Sequence, residues 1–398
     1  MGTSEDTIQR ALTAGDVEAA DRLTRAWLDA RAPLPVMSGF GLWPLLAVLA
    51  TGAVGDTRSE LLTAARLTPE RAAEVPAALS DALRTSDSIR LALAVWAGAR
   101  VTLDPDWTAG LPVDAVGSLT GDAAADKAAL DAWAARSTRG LIDRMPLDFS
   151  RPIDLVLASA LSVRTTWATP FTDSRRSFKT GPWARLGQCR GLSAVLDAGL
   201  LRVGDHLSML TVPGDDDIDV ILGLGPEDRD PGLVVASLAA TAADPSRTRP
   251  ATDLAVGDRA IGVEVTEHRA ARPQTRPEVD VQTVRFDVSS DLDLLEAART
   301  LGLATASDEG RARFDRLAAE PTYVSQARQT CRAVFSATGF EAAAVTAIAM
   351  TRAAGVPRLD HRHVRVGVRF DRPFAFLVRH RPTGLVLFAG WVAEPETA

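Results

Sequence analysis

Cysteine and lysine are scarce in this chain. Two cysteines in 398 residues, Cys189 and Cys331, are too few for a disulfide framework or a zinc site. Lys127 and Lys179 are the only lysines among 44 basic residues, which reads as a compositional bias toward arginine and not as recognition. A net charge of -7 argues against a general nucleic-acid binder, so no nucleic-acid partner is expected. No apolar run reaches the length of a membrane span, so no membrane partner is expected either. The N-terminal segment reads as an acidic-capped helix without a basic n-region and apolar h-region. The expectation is therefore no signal peptide and a cytoplasmic location, with an unusual secretion route left open. G-x-S-x-G, Walker and H-E-x-x-H patterns are absent. Gly39 and Gly41 lack the third glycine and the preceding strand of a dinucleotide fingerprint. No catalytic set, cofactor or metal site is expected.

What is present is a core. Hydrophobic residues make up 46% and charged residues 24% of the chain, enough apolar material for a large globular fold. Residues 4–30 read as one or two amphipathic helices. Ser38 to Gly52 is an apolar run, and Asp56-Thr57 is expected to cap a further helix. Ser88 to Val101 reads as a strand, Ala124 to Met145 as a helix, and Leu155 to Trp167 as an apolar strand. Short strands separated by Gly/Asp turns fill Val195 to Leu224. Gly257 to Val265 and Val279 to Val288 read as strands, and Asp291 to Gly302 as a helix with an Asp start and a Gly stop. Three strands close the chain, Val364 to Val368, Phe374 to Arg379 and Leu385 to Val392, the last two joined at Pro382-Thr383-Gly384. Helices dominate the first third and strands the last, without a βαβ rhythm. That is an α+β fold with antiparallel sheets.

Few residues outside the core suggest chemistry. His361 and His363 alternate with Val364, Val366 and Val368 in a way that puts the histidines on a solvated strand face. Cys331 has adjacent Arg332 to stabilise a thiolate, but neighbouring strand side chains point apart, so a buried cysteine is expected. Most of the eight tryptophans read as core. Trp43, Trp167 and Trp183 form a candidate pocket for a small ligand.

One stretch organises the rest. GFEAAAVTAIAMTRAAGVPR, residues 339–358, is almost uncharged, rich in small residues and set between strand-like segments. By itself it reads equally as a buried Ala-rich helix or as a segment suited to insertion in a crowded space.

FDRPFAFLVRHRPTGLVLFAGWVAEP near the C-terminus resembles the C-terminal signature of serpins, the serine-protease inhibitors. Trp133, Thr138 and Gly140 match the family's W-(x)4-T-x-G pattern, and LVLASALSVRTTWATPF is similar to its central strand with a tryptophan, here Trp167. The segment with Phe286, Leu294 and Gly302 resembles a strand-then-helix unit, and GFEAAAVTA resembles the hinge of the reactive loop. The matches follow family order over about residues 20–395, and the chain reads as an atypical, bacterial-type member. The resemblance implies a single domain over residues 1–398, a monomer with three sheets, about nine helices and an exposed reactive loop at residues 339–358. In inhibitory members a protease cleaves that loop, which then inserts into the main sheet and drags the acylated protease with it.

Family loop length puts the scissile bond at Ala353-Ala354, with Arg352 as the alternative specificity residue. The first suits an elastase- or subtilisin-like serine protease, the second a trypsin-like one. The hinge would comprise Gly339, Phe340, Glu341, Ala342, Ala343 and Ala344. Phe340 stands where the family usually has Thr or Ser. Forcing it between strands is expected to slow insertion about 5- to 150-fold, from an overpacking cost of roughly 1–3 kcal/mol. Beneath the main sheet the family's latch maps onto Ser38, Gly41, Ser159 and Gln329, with Ser159 in place of an asparagine and Gln329 in place of a histidine. Three functions stay open: a serine-protease inhibitor acting by cleavage and insertion, a non-inhibitory serpin that binds a partner or small ligand, and a scaffold recruited to an enzymatic step.

Overall fold

The computed structural model describes residues 5–30, 35–84, 86–112, 115–270, 273–340 and 361–398. Two compact units are present. The first comprises Met1–Val163, Ser289–Arg332 and Arg379–Ala389, and the second Arg164–Val288, Ala333–Val378 and Gly390–Ala398.

The first unit is built on the helix Gly39–Gly52, which is apolar on every side and buried nearly throughout. A helix with no polar face has to lie inside, and here helices Ala14–Ala30, Gly55–Ala65 and Pro69–Arg84 pack around it. Leu155–Val163 is the central strand, buried at every position. It pairs antiparallel with Ile89–Ala97, from Ile89 opposite Val163 to Ala97 opposite Leu155. On its other edge it runs parallel to Val324–Phe335, from Val324 beside Leu155 to Cys331 beside Leu161. A strand covered on both faces reads as a continuous apolar run without alternation. Helix Ala123–Ser137 supplies one cover, where Leu130 and Trp133 pack with Ala94, Val156, Ala158 and Ala160.

In the second unit Val263–Ala270 pairs antiparallel with His361–Arg369, which runs parallel to Glu278–Val284. Gln188–Asp197 and Thr172–Ser177 extend that sheet. A further sheet contains the hairpin Ser208–Pro213 and Ile218–Leu224, with Phe374–His380 next to the latter. Phe335 stacks on Phe286 at 5.3 Å between ring centroids, and Phe374 and Phe376 contact Phe286 in turn.

Several sequence expectations shift at their ends. The helix over Ala124 to Met145 stops at Ser137, because Arg139 and Gly140 take φ of +55° and +81°. Thr138 makes that stop specific: its Oγ1 donates to Ala134 O at 2.8 Å and accepts from Ile142 N at 3.0 Å. The helix expected from Asp291 begins later, since the strand Phe286–Asp293 continues and Asp293 caps a 3-10 turn by accepting from Leu295 N. Asp56 and Thr57 do not cap; the helix begins at Gly55, and Thr57 Oγ1 accepts from Arg313 N instead. The strand over Ser88 to Val101 is Ile89–Ala97.

Candidate functional site

The four latch residues meet in the first unit. Ser38 is the extended N-cap residue of helix Gly39–Gly52, its Oγ accepting from Gly41 N at 2.9 Å and donating to Leu387 O at 2.6 Å. Gln329, fully buried on Val324–Phe335, clasps the same residue. Its Oε1 accepts from Ser38 N at 3.0 Å and its Nε2 donates to Ser38 O at 2.9 Å. Ser159, on the central strand opposite Leu93 and beside Gln329, donates from Oγ to Gly41 O at 2.6 Å. At Gly41 a side chain would press on this network. A Cβ there would lie 2.9 Å from Gln329 Nε2 and 3.1 Å from Ser159 Oγ. The helix start is thus tied to two adjacent strands by buried, mutually satisfied hydrogen bonds.

The hinge begins in the second unit as a tight hairpin. Val324–Phe335 turns back through Ala337 and Thr338 into the short strand Gly339–Phe340, with Phe335 opposite Phe340. On its other edge Gly339 pairs with Thr166 and Phe340 with Thr165. Gly339 and Phe340 therefore already occupy strand positions between two neighbours, and Phe340 is fully buried. The sequence expectation was a Phe340 that has to force its way in; here it is seated. Glu341, Ala342, Ala343 and Ala344, together with Arg352, Ala353 and Ala354, lie outside the described residues.

The turn itself rests on a residue that the sequence pattern did not single out. Ser336 Oγ donates to Gly339 O at 2.9 Å and accepts from Gly339 N at 3.3 Å, while Ser336 N also donates to Gly339 O at 2.9 Å. Outside donors hold the remaining carbonyls. Trp167 Nε1 donates to Ser336 O at 2.9 Å, Trp167 N to Thr338 O at 3.0 Å and Phe171 N to Ala337 O at 2.8 Å. Trp167 also packs against Phe335, 4.7 Å between centroids. A serine three residues before a glycine is a known turn signal, so Ser336 was findable. Its partners were not.

Trp43, Trp167 and Trp183, the candidate pocket residues, are each packed within their own unit. Trp43 is buried in the first unit and donates to Ala65 O at 2.8 Å. Trp183, in the second, donates to Ala393 O at 2.8 Å and packs edge-on against Phe178 and Phe374. With every indole N–H satisfied and every ring packed, the three are core. Cys331 is buried, and desolvation pushes its thiol far above the usual range. That is the inert form of cysteine. His361 is exposed, whereas His363 faces His268 across the strand pair with rings 5.4 Å apart. Neighbouring arginines are offset by acids, Arg362 by Glu267 at 3.4 Å and Arg365 by Asp280 at 3.2 Å. Among the described residues no three acidic, histidine or cysteine groups converge as metal ligands, and no helix is long and apolar enough to cross a membrane.

A hairpin hinge in one unit and a hydrogen-bonded helix start in the other, in an α+β fold with three sheets, is the architecture of one class of protein. The family model for serpins (serine protease inhibitors) matches residues 35–180 and 262–395, and the chain belongs to that family. It is 27% identical to serpin-Z6C of Oryza sativa subsp. japonica over 98% of this chain and 99% of the relative. A segment covering 28% of this chain and 26% of the relative is 35% identical to plasminogen activator inhibitor 1 of Sus scrofa. The crystal structure of Serpin48, described as a highly specific serpin of the insect Tenebrio molitor, superposes with a TM-score of 0.69 at 19% identity, covering 94% of this chain and 97% of that one. Inhibitory members thus stand among its relatives.

Proposed function

We propose that this serpin inhibits a serine protease by offering residues 349–358 as a substrate, with Ala353-Ala354 as the scissile bond and Arg352 as the alternative specificity residue. The protease serine attacks the carbonyl of the cleaved bond, the new amino terminus leaves, and an acyl-enzyme forms. The freed arm then adds to the sheet, and trapping depends on its doing so before water hydrolyses the ester. Side chains of an inserting strand alternate between faces, and the small residues from Ala342 to Ala349 suit that passage.

One observation carries the reading. Gly339 and Phe340 already lie between Phe335 and Thr165–Thr166. Insertion therefore extends a hairpin whose register is set and does not open a new one. Nucleation is the slow part of strand addition, because loop closure precedes any reward from pairing. A hinge already paired shortens the lag in which a protease escapes. The bonds of Gln329 and Ser159 to the helix start tie two neighbouring strands of the main sheet to one support, which fits the same reading.

The test is incubation with one elastase-like and one trypsin-like protease. A covalent 1:1 complex stable in SDS, together with a large rise in the melting temperature of the cleaved chain, is the expected result. Cleavage with free protease and an unchanged melting temperature would sink the proposal and leave a loop that is only a substrate, as in the non-inhibitory reading.

A further inference from the structure

Three of the five histidines fall on one sheet of the second unit. Strands Val263–Ala270 and His361–Arg369 pair antiparallel, and their register sets His268 directly opposite His363. Directly opposed residues project to the same face of a sheet. The two imidazoles therefore share one side, with 5.4 Å between ring centroids and 73° between ring planes. Both residues are half-buried, and His268 Nδ1 is buried without a hydrogen-bond partner among the described residues. His361, two residues before His363 and roughly 7 Å from it along the strand, falls on the same face and is exposed.

A ring-packing contact leaves the buried nitrogen unexplained, and native structures rarely carry such a group without a reason. Imidazole nitrogen is a ligand for zinc-type dications, with Zn–N bonds of about 2.0–2.1 Å. Two imidazoles on one tetrahedral ion at that bond length have ring centres roughly 5–5.5 Å apart. His268 and His363 already stand at that separation. The surrounding charge also admits a cation. Arg365, next along the same face, lies 3.2 Å from Asp280 and opposite Glu278 in register. Arg269 and Arg362, opposite one another, project to the other face, where Arg362 lies 3.4 Å from Glu267.

We propose that His268 and His363, with His361 turning in as a third ligand, bind a divalent transition-metal ion of the zinc type, water completing the tetrahedron. Borderline ions that favour imidazole fit this set, whereas magnesium and calcium take oxygen ligands. Among the described residues no third group converges on the pair, so binding draws His361 in. The bound ion ties the start of strand His361–Arg369 to Val263–Ala270. The pair had no signal in the sequence, because His268 enters it from a strand far away along the chain. The site stands apart from the proposed inhibition.

Isothermal titration of the untagged full-length protein with zinc chloride, after EDTA treatment and desalting, tests the site, with magnesium chloride as the hard-ion control. One zinc per chain is expected to bind saturably, and magnesium should give no saturable heat. His268→Ala and His363→Ala should each weaken zinc about a hundredfold, since even a residue that only supports a ligand commonly costs about 10–100-fold. His206→Ala, at an exposed position outside the sheet, should leave the affinity unchanged. Residue-assigned NMR of the imidazoles in the unsubstituted protein gives a second reading that does not depend on a variant folding. Zinc should shift the signals of His268, His363 and His361 and leave those of His206 and His380 in place. The proposal fails if zinc gives no saturable heat, if magnesium binds as tightly, or if folded His268→Ala and His363→Ala chains keep the full affinity. Shifts confined to His206 or His380 would place the ion elsewhere and overturn it too.

Discussion

Gln329 supplies with one carboxamide both bonds that the backbone of Ser38 needs. Neither end of that side chain titrates between pH 2 and 12, so the latch holds at any working pH. Gln329→Leu keeps the apolar volume but strands the buried Ser38 N–H and C=O, at about 1–3 kcal/mol for each group. Urea denaturation should record a loss of that order; a change under about 0.5 kcal/mol would mean the clasp carries no net stability. Asp21 behaves differently. It accepts from Val386 N at 2.9 Å, and burial outweighs that bond and the nearby Arg25 and Arg379, pushing its pKa up to about 6. The folded state then holds a proton that the unfolded state, titrating near 3.8, has already released. The contribution of Asp21 to stability is therefore full below about pH 3.8 and is lost as pH rises to about 6, by about 3 kcal/mol at about 1.36 kcal/mol per unit. Asp21→Asn should remove that slope, measured by urea unfolding at pH 4.5, 5.5 and 7. An unchanged slope would show that another group is responsible.

At the scale of the element, the hinge shows how one strand can hold two assignments. As sequence, Phe340 is an oversized residue facing a gate. As structure, it is a buried residue of a paired strand, set by Ser336 and by donors from Trp167 and Phe171. Overpacking is then not a barrier on the reaction path but part of the packing of the uncleaved protein. Phe340→Ala should accordingly destabilise the intact chain by about 3–5 kcal/mol, the usual cost of emptying a phenylalanine site. Amides of Gly339 and Phe340 should also lose protection from hydrogen exchange. Unchanged stability and protection would show that the pairing is not populated in solution. The helix ending at Ser137 gives a second case: read along the chain it runs to Met145, yet it stops eight residues earlier. Trp133 is buried, Thr138 closes the turn and Gly140 takes the left-handed conformation. All three roles are played within eight residues of chain, but helical periodicity alone did not show the stop.

Across the whole molecule, the serpin family and the α+β class were legible because signatures lay in family order along the chain, and a family resemblance does not require knowing any contact. The latch was legible through the same order: Ser38, Gly41, Ser159 and Gln329 do converge. Position alone could not tell that Gln329 would replace a histidine by grasping Ser38 from both sides, because hydrogen-bond partners 291 residues apart are fixed only by folding. The tryptophan pocket failed for a related reason. Large aromatic residues carry the same composition whether they line a cavity or fill a core, and burial decides between them. The sequence alone determined the order of most elements, because their periodicity follows from neighbours along the chain. Tertiary structure decided that Gly339 and Phe340 are already strand. The partners on either edge, Phe335 and Thr165–Thr166, become neighbours only when the chain has closed on itself.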